Sequence, residues 1–352
     1  MTAEQPVTQT TGSTPPAGPP SAGRSVAGRL GRRVLTASET WTLLAFVLLC
    51  VFFSIKSSGK FNSITNFSLM GQDSAWYLVM AVGQTFVILT AGIDLSVGSV
   101  LVLSGVVTDL YCIDHGGASS GTGTIIVGVI LGLLTGAGCG ALQGFLVAKL
   151  KVAPLISTLA GYGAFLGAAY LITGGADYRT VPNKLVNTIG LGSAIGIPWL
   201  IIISFGIAII FGVILAVTRF GRYTYAIGSN PEAALRVGIN VDLHLIKVYA
   251  LAGLLSGVAG VLSLANFDST TIAGHSFDNL TVITGVVLGG ASLFGGRGTM
   301  LGTVIGLAIP VVLSSGLVII GINQYWQQVV IGIVLAGAVY IDQFRRRLQD
   351  RG

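Results

Sequence analysis

Apolar residues in this chain come in long runs separated by short polar stretches. About ten runs approach the roughly 17–25 residues that an α-helix needs to cross a bilayer. They lie near 40–55, 67–91, 95–112, 123–148, 153–173, 198–218, 246–266, 279–295, 299–321 and 325–343. The pattern predicts an all-α, polytopic membrane protein, a bundle of about ten transmembrane helices. The first and eighth runs are short for the task. Residues 1–38 stand apart, because TQTTGSTPPAGPPSAG is rich in Pro, Gly, Ser and Thr and can bury nothing. They are expected to form a disordered cytoplasmic tail, followed by a membrane domain over 39–344 and a short basic terminus over 345–352. No small-residue cleavage site follows the first run, so the first helix is expected to stay in the mature chain.

Composition agrees with lipid as the solvent. The 352 residues are 52% hydrophobic and 9% charged, against about 25% charged in a soluble domain. The 51 glycines follow no collagen period and suit helices that pack closely in a bilayer. A net charge of +6 does not argue for nucleic acid, since the basic residues sit at the ends of apolar runs. If the first helix leaves the cytoplasm, fifteen Lys and Arg fall inside and four, Lys56, Lys60, Arg179 and Lys184, outside. That bias predicts an even number of spans with both termini cytoplasmic.

Several chemistries are missing. No G-x-x-x-x-G-K-[ST] loop occurs, and Gly59-Lys60 is followed by Phe61, so the chain is expected to hydrolyse no ATP itself. His115, His244 and His275 are read as loop residues without metal-ligand spacing. Cys50, Cys112 and Cys139 make no CxxC, and Cys50 and Cys139 are read as packing residues. No catalytic residue and no metal ligand is expected. Asp73, Asp94 and Asp109 are the main acids in or beside the runs. They offer no obvious ion relay of the kind a coupled carrier needs at mid-membrane, so energy is expected from outside the chain.

Gly132, Gly136, Gly140 and Gly144 form an every-fourth-residue ladder on one helix face. Gly253 with Gly257 and Gly163 with Gly167 repeat the spacing. Helix packing is the favoured reading, and lining a path the other. The loop over 219–245 is punctuated like a short helix outside the membrane. Asn230 suits the N-cap, Pro231 the first turn, Glu232 the positive dipole end and Gly238 a left-handed stop. Ala233, Ala234 and Val237 are candidates to face a partner.

Glu232-Ala-Ala-x-x-x-Gly238 resembles the EAA loop of ATP-binding-cassette importer permeases. Ala91-Gly-Ile-Asp-Leu-Ser-Val-Gly-Ser-Val100, Gly228-Ser-Asn-Pro-Glu-Ala-Ala-Leu-Arg-Val-Gly-Ile239 and Gly289-Gly-Ala-Ser-Leu-Phe-Gly-Gly-Arg-Gly298 together resemble the ribose/monosaccharide permease family, from about residue 40 to the end. The resemblance implies about ten helices per subunit, two permease subunits, a separate ATPase that holds ATP-Mg, and an extracytoplasmic solute-binding protein. It also implies that Asn230, Pro231, Glu232, Ala233, Ala234 and Gly238 form the element coupled to that ATPase. The solute would be a monosaccharide or similar small polar molecule, moved across the cytoplasmic membrane.

The turn carrying Gly92, Asp94, Ser96 and Ser99 has two readings: a structural cap near the cytoplasmic face, which is preferred, or polar groups offered to a sugar. Gln84, Asp94, Ser96 and Asn323 are the candidates for a translocation path or gate, with Gln72, Thr85, Gln143 and Gln324 as further polar positions. A stand-alone ion-coupled carrier is the main rival, and a membrane enzyme or an exporter permease the others.

Overall fold

The structure, a computed structural model, describes residues 38–323 and 325–349. The expectations for residues 1–37, for Gln324 and for 350–352 lie outside the described residues, as do the side chains before Thr42 and beyond Tyr340. The helices are α1 (Ser38–Lys56), α2 (Ile64–Asp73), α3 (Ala75–Leu89), α4 (Val97–Asp114), α5 (Thr122–Ala148), α6 (Pro154–Thr173), α7 (Trp199–Val217), α8 (Arg219–Ser229), α9 (Pro231–Arg236), α10 (Val241–Phe267), α11 (Asp278–Leu288), α12 (Met300–Ile319) and α13 (Tyr325–Gln349). A two-residue hairpin pairs Ser193–Ala194 with Ile197–Pro198 ahead of α7.

Among the described residues six helices, α4, α5, α6, α7, α10 and α12, are long and apolar enough to cross a membrane. Thr42–Lys56, Ala75–Leu89 and Tyr325–Tyr340 are shorter apolar helices. The chain is thus a helical, multi-pass membrane protein, in which six of the described helices have full spanning length. Two runs differ for local reasons. The run over 67–91 is two helices, because Gln72-Asp73-Ser74 interrupts it and Ser74 closes α2 with its N–H on the Met70 carbonyl. The run over 279–295 is helical only to Leu288, because Gly290, Gly295 and Gly296 turn to φ of +90°, +83° and +72°.

α10 lies at the centre, packed on α5, α3 and α4. It runs antiparallel to α5 with glycine on both sides. A Cβ at Gly136 would overlap the Gly253 carbonyl, one at Gly140 the Tyr249 carbonyl, and one at Gly144 would lie 2.7 Å from Ile246 Cα. Gly132 turns to α4 instead, against Ser104 and Thr108. Without side chains between them, backbones meet directly and dispersion contacts replace the hydrophobic drive that lipid does not supply. Gly163 and Gly167 meet nothing within 4 Å.

α3, α5 and α7 finish, and α6, α10 and α12 begin, at one end of the bundle, which also holds α8 and α9. Lys149 and Lys151 reach Asp242 there, at 3.1 and 2.8 Å. Such exposed pairs are worth about 0–1 kcal/mol, so they set register more than stability.

Candidate functional site

The site is built at that end from the backbone upward. Thr218 caps α8 by accepting the Gly221 N–H at 3.3 Å. Gly221 allows the sharp reversal from α7, since a Cβ would overlap the Leu215 carbonyl. α8 is braced from below: Thr224 Oγ1 lies 2.9 Å from His244 Nε2 in the first turns of α10. His244 is therefore a buried helix residue, where a loop residue was expected.

α9 follows after one residue. Asn230 Oδ1 accepts the Ala233 N–H at 3.0 Å, and Pro231 fills the first helical position. Ile239 donates to the Ala234 carbonyl at 3.1 Å and Gly238 to the Leu235 carbonyl at 3.0 Å, with Gly238 at φ +85°. That pair of bonds is a Schellman stop. Ala234 does not face outward as expected: it is buried against Ile227 and Val241, because position 234 is on the inner side of so short a helix. The outward apolar side chains are Leu235, 58% exposed, and Val237, 76% exposed. Glu232 and Ala233 are exposed with them.

The three glycine-rich stretches, far apart in sequence, meet behind α8. Gly296 donates its N–H to the Leu89 carbonyl at the end of α3, at 2.9 Å. A Cβ at Gly228 would overlap that same carbonyl and stand 2.6 Å from Gly296 N. A Cβ at Gly295 would stand 2.8 Å from both Ala91 N and the Gly228 carbonyl. Tyr225 donates its hydroxyl to the Gly298 carbonyl at 2.7 Å, and burial pushes that hydroxyl's pKa up, so it keeps its proton. α8, the end of α3 and the 289–298 loop are thus one backbone-on-backbone unit.

The turn after α3 leaves the helix through Ala91, whose φ is +60°; Gly92, expected to end the span, is needed for space, because a Cβ would lie 2.6 Å from the Tyr249 hydroxyl. Asp94 is buried and accepts from Ser96 N at 2.8 Å and Ser96 Oγ at 2.6 Å. It folds the turn on itself, a local bond typical of Asp two residues ahead of its partner. Asn279 Nδ2 donates to the Leu95 carbonyl at 3.1 Å, and Thr158 Oγ1 to the Ile93 carbonyl at 3.1 Å.

Beside this turn lies a polar cluster that the sequence reading missed. His275 Nδ1 sits 2.6 Å from Asp278 Oδ2 and His275 Nε2 2.7 Å from Ser263 Oγ. Tyr77 donates to Asp278 Oδ1 at 3.2 Å. The order of contacts is that of a hydrolase triad, but Ser263, His275 and Asp278 are each 3% exposed or less. No substrate carbonyl can reach the serine, so the cluster braces the start of α11. The sequence signal was Asp278-Asn279 opening an apolar run with His275 one turn earlier.

The other candidates scatter. Gln84, inside α3, is fully buried and neither amide atom has a hydrogen-bond partner. Thr85 pairs with Thr303 at 2.8 Å, and Gln143 accepts from Ser157 at 2.5 Å. Asn323 lies beyond the far end of α12, which ends about 24 Å along its axis from Thr303. Its Oδ1 accepts the Tyr325 N–H at 2.9 Å, beside a shallow depression of about 300 Å³ lined by Asn323, Tyr325, Trp326 and Val329. It does not join Gln84, Asp94 and Ser96. Among the described residues no three His, Cys, Asp or Glu side chains gather as a metal would require.

Residues 69–339 match the family described as branched-chain amino acid transport system / permease component. The chain belongs to this family. The permease is also similar to named sugar import permeases. It is 37% identical to the ribose import permease protein of Escherichia coli K12 over 89% of its own length and 97% of that protein's. It is 39% identical to the ribose import permease protein of Bacillus subtilis, over 85% and 91%. It is 35% identical to the fructose import permease protein of Rhizobium meliloti, over 87% and 85%. No solved structure matches it. The permease is therefore a transport subunit, and its buried backbone junction and exposed α9 are to be understood as parts of a transporter.

Proposed function

We propose that the permease is the membrane-spanning subunit of an ATP-binding-cassette importer and carries a monosaccharide across the cytoplasmic membrane. The observation that carries this reading is α9: a helix capped at both ends, held from beneath by Ala234, with Leu235 and Val237 bare to solvent. Two exposed apolar side chains on a rigid rod suit a groove on a partner protein, and here the partner is a separate ATPase that binds ATP-Mg. Asn230, Pro231, Glu232, Ala233 and Gly238 shape that rod and Ala234 roots it.

Force applied to α9 passes through Ile227 and Ala234 into α8, then by way of Gly228 and Tyr225 to the end of α3 and the 289–298 loop. Because these contacts are backbone on backbone, little side-chain rearrangement absorbs the displacement. α11, which runs into that loop, swings about this junction away from α3 and opens one side of the bundle. The full subunit has ten crossings: the six long helices, α1, α13, α2 with α3 as one broken crossing, and α11 with the turn before it. Both termini are cytoplasmic, in keeping with the distribution of Lys and Arg. A second permease subunit and an extracytoplasmic solute-binding protein complete the importer, the latter docking on outer loops that include 174–197.

Relatives named for ribose and fructose import and the lack of Lys and Arg in the turn after α3 support a neutral sugar as the solute. The test is uptake of labelled D-ribose and D-fructose into vesicles holding the permease with its ATPase and binding protein. Uptake that needs ATP in the partner supports the importer. Uptake by the permease alone, driven by an ion gradient, contradicts it and favours a stand-alone carrier, the reading that Asp109, buried with neither oxygen hydrogen-bonded, would serve.

A further inference from the structure

We propose that Gln84 and Tyr77, on one face of α3, form a hydroxyl-binding strip of the solute path, closed in this structure by α11. The inference rests on the importer reading and names where the sugar is held within it.

Gln84 is the starting point. It is fully buried, and neither its Nε2 nor its Oε1 has a hydrogen-bond partner. A primary amide has two donors and an acceptor, and leaving them unmet in an apolar interior is unfavourable. A leucine of similar size would suit this closed packing as well or better. The amide is therefore matched to another conformation, in which it meets a polar partner.

The surroundings say which side that partner enters from. Gly83 faces Ala252 of α10, Thr85 bonds Thr303 of α12, and Phe86 meets Phe211 of α7 and Phe220 of α8. Those three directions are taken. Residues seven apart in a helix share a face, so Gln84 lies on the side of α3 occupied by Tyr77, about 10 Å along the axis. Tyr77 on that side reaches Asp278 of α11. The facing helix is unusually polar for so short a buried element: Asp278, Asn279, Thr281 and Thr284 lie within its 11 residues, all buried.

This α3–α11 seam carries the Tyr77 hydroxyl and the Asp278 carboxyl, with the Gln84 amide on the same side of α3 and no Lys or Arg among them, which suits the hydroxyls of a sugar better than an anion. The Tyr77–Asp278 bond keeps the seam shut. α11 runs directly into the 289–298 loop, which is latched to α8 and to the end of α3, so movement of the coupling end would swing α11 about that junction and part it from α3 at the Tyr77 end. Tyr77 would then exchange Asp278 for a hydroxyl of a passing sugar, and Gln84 would gain the partner that it lacks here.

The test uses vesicles holding the complete importer and whichever of D-ribose or D-fructose the wild type takes up, comparing wild type with Gln84→Leu and Tyr77→Phe. Sugar moved per ATP hydrolysed should fall about tenfold in Gln84→Leu and less in Tyr77→Phe. ATPase activity should stay within about twofold of wild type, and the thermal midpoint of the Gln84→Leu permease should be equal or higher. A Gln84→Leu importer that moves as much sugar per ATP as wild type overturns the inference. So does a lower thermal midpoint, which would give the amide a structural role. Wild-type vesicles that take up neither sugar with ATP would instead sink the importer reading itself.

Discussion

Gly228 shows how much of this molecule rests on atoms that are not there. Its missing side chain lets the Leu89 carbonyl and Gly296 N–H meet α8 directly. Gly228→Ala should part these backbones and destabilise the permease by about 1–3 kcal/mol, as overpacking does elsewhere. The check is the thermal midpoint of the purified protein, with wild-type stability contradicting the account. Residue-scale features differed in how legible they were. The caps of α9, Asn230 and Gly238, could be read because their partners lie within a few residues. The reason for Gly228 could not, since its neighbours are more than 60 residues away in either direction. Ala91 was masked by Gly92: a glycine beside a helix end suggests the left-handed residue, but tertiary crowding by Tyr249 reserved Gly92 for space and left Ala91 to turn the chain.

At the scale of elements, apolar runs were good guides where lipid or core surrounds a helix. The run over 246–266 became α10, Val241–Phe267, and that over 123–148 became α5, Thr122–Ala148. α8 was not anticipated as a helix, because RFGRYTYAIGS has no apolar run and its order comes from capping by Thr218 and support from His244. α11 was anticipated too long, since hydropathy does not register the glycines that end it at Leu288. α9 depends on its N-cap. Asn230→Ala should destabilise this helix by about 1 kcal/mol and lower ATP-coupled uptake while leaving the six long helices in place. Circular dichroism and uptake measured on the same preparation check it. Unchanged uptake would show that the order of α9 does not matter to transport.

Across the whole molecule, two glycine-lined surfaces meet in different ways. α5 and α10 are locked by close backbone contact and form a fixed body around the centre. The α8, α3 and 289–298 junction ties the exposed end of the bundle to α11, whose interface with α3 is polar and held by the Tyr77–Asp278 bond. A close-packed helix pair beside one tethered helix suits the rocking motion proposed for transport. Class and membrane character could be read from the runs and motifs. The joining of the three motifs into one junction could not, because it depends on contacts between segments more than 60 residues apart.

The central claim is that α9 receives work from a separate nucleotide hydrolase. The most direct test is ATP-driven sugar uptake by an importer whose permease carries Leu235→Asp and Val237→Asp together, both side chains being exposed and outside the core. The account predicts a permease of wild-type thermal stability whose uptake falls at least about tenfold, as loss of interface anchors does elsewhere. Uptake at the wild-type rate, from a complex of wild-type composition, would contradict it.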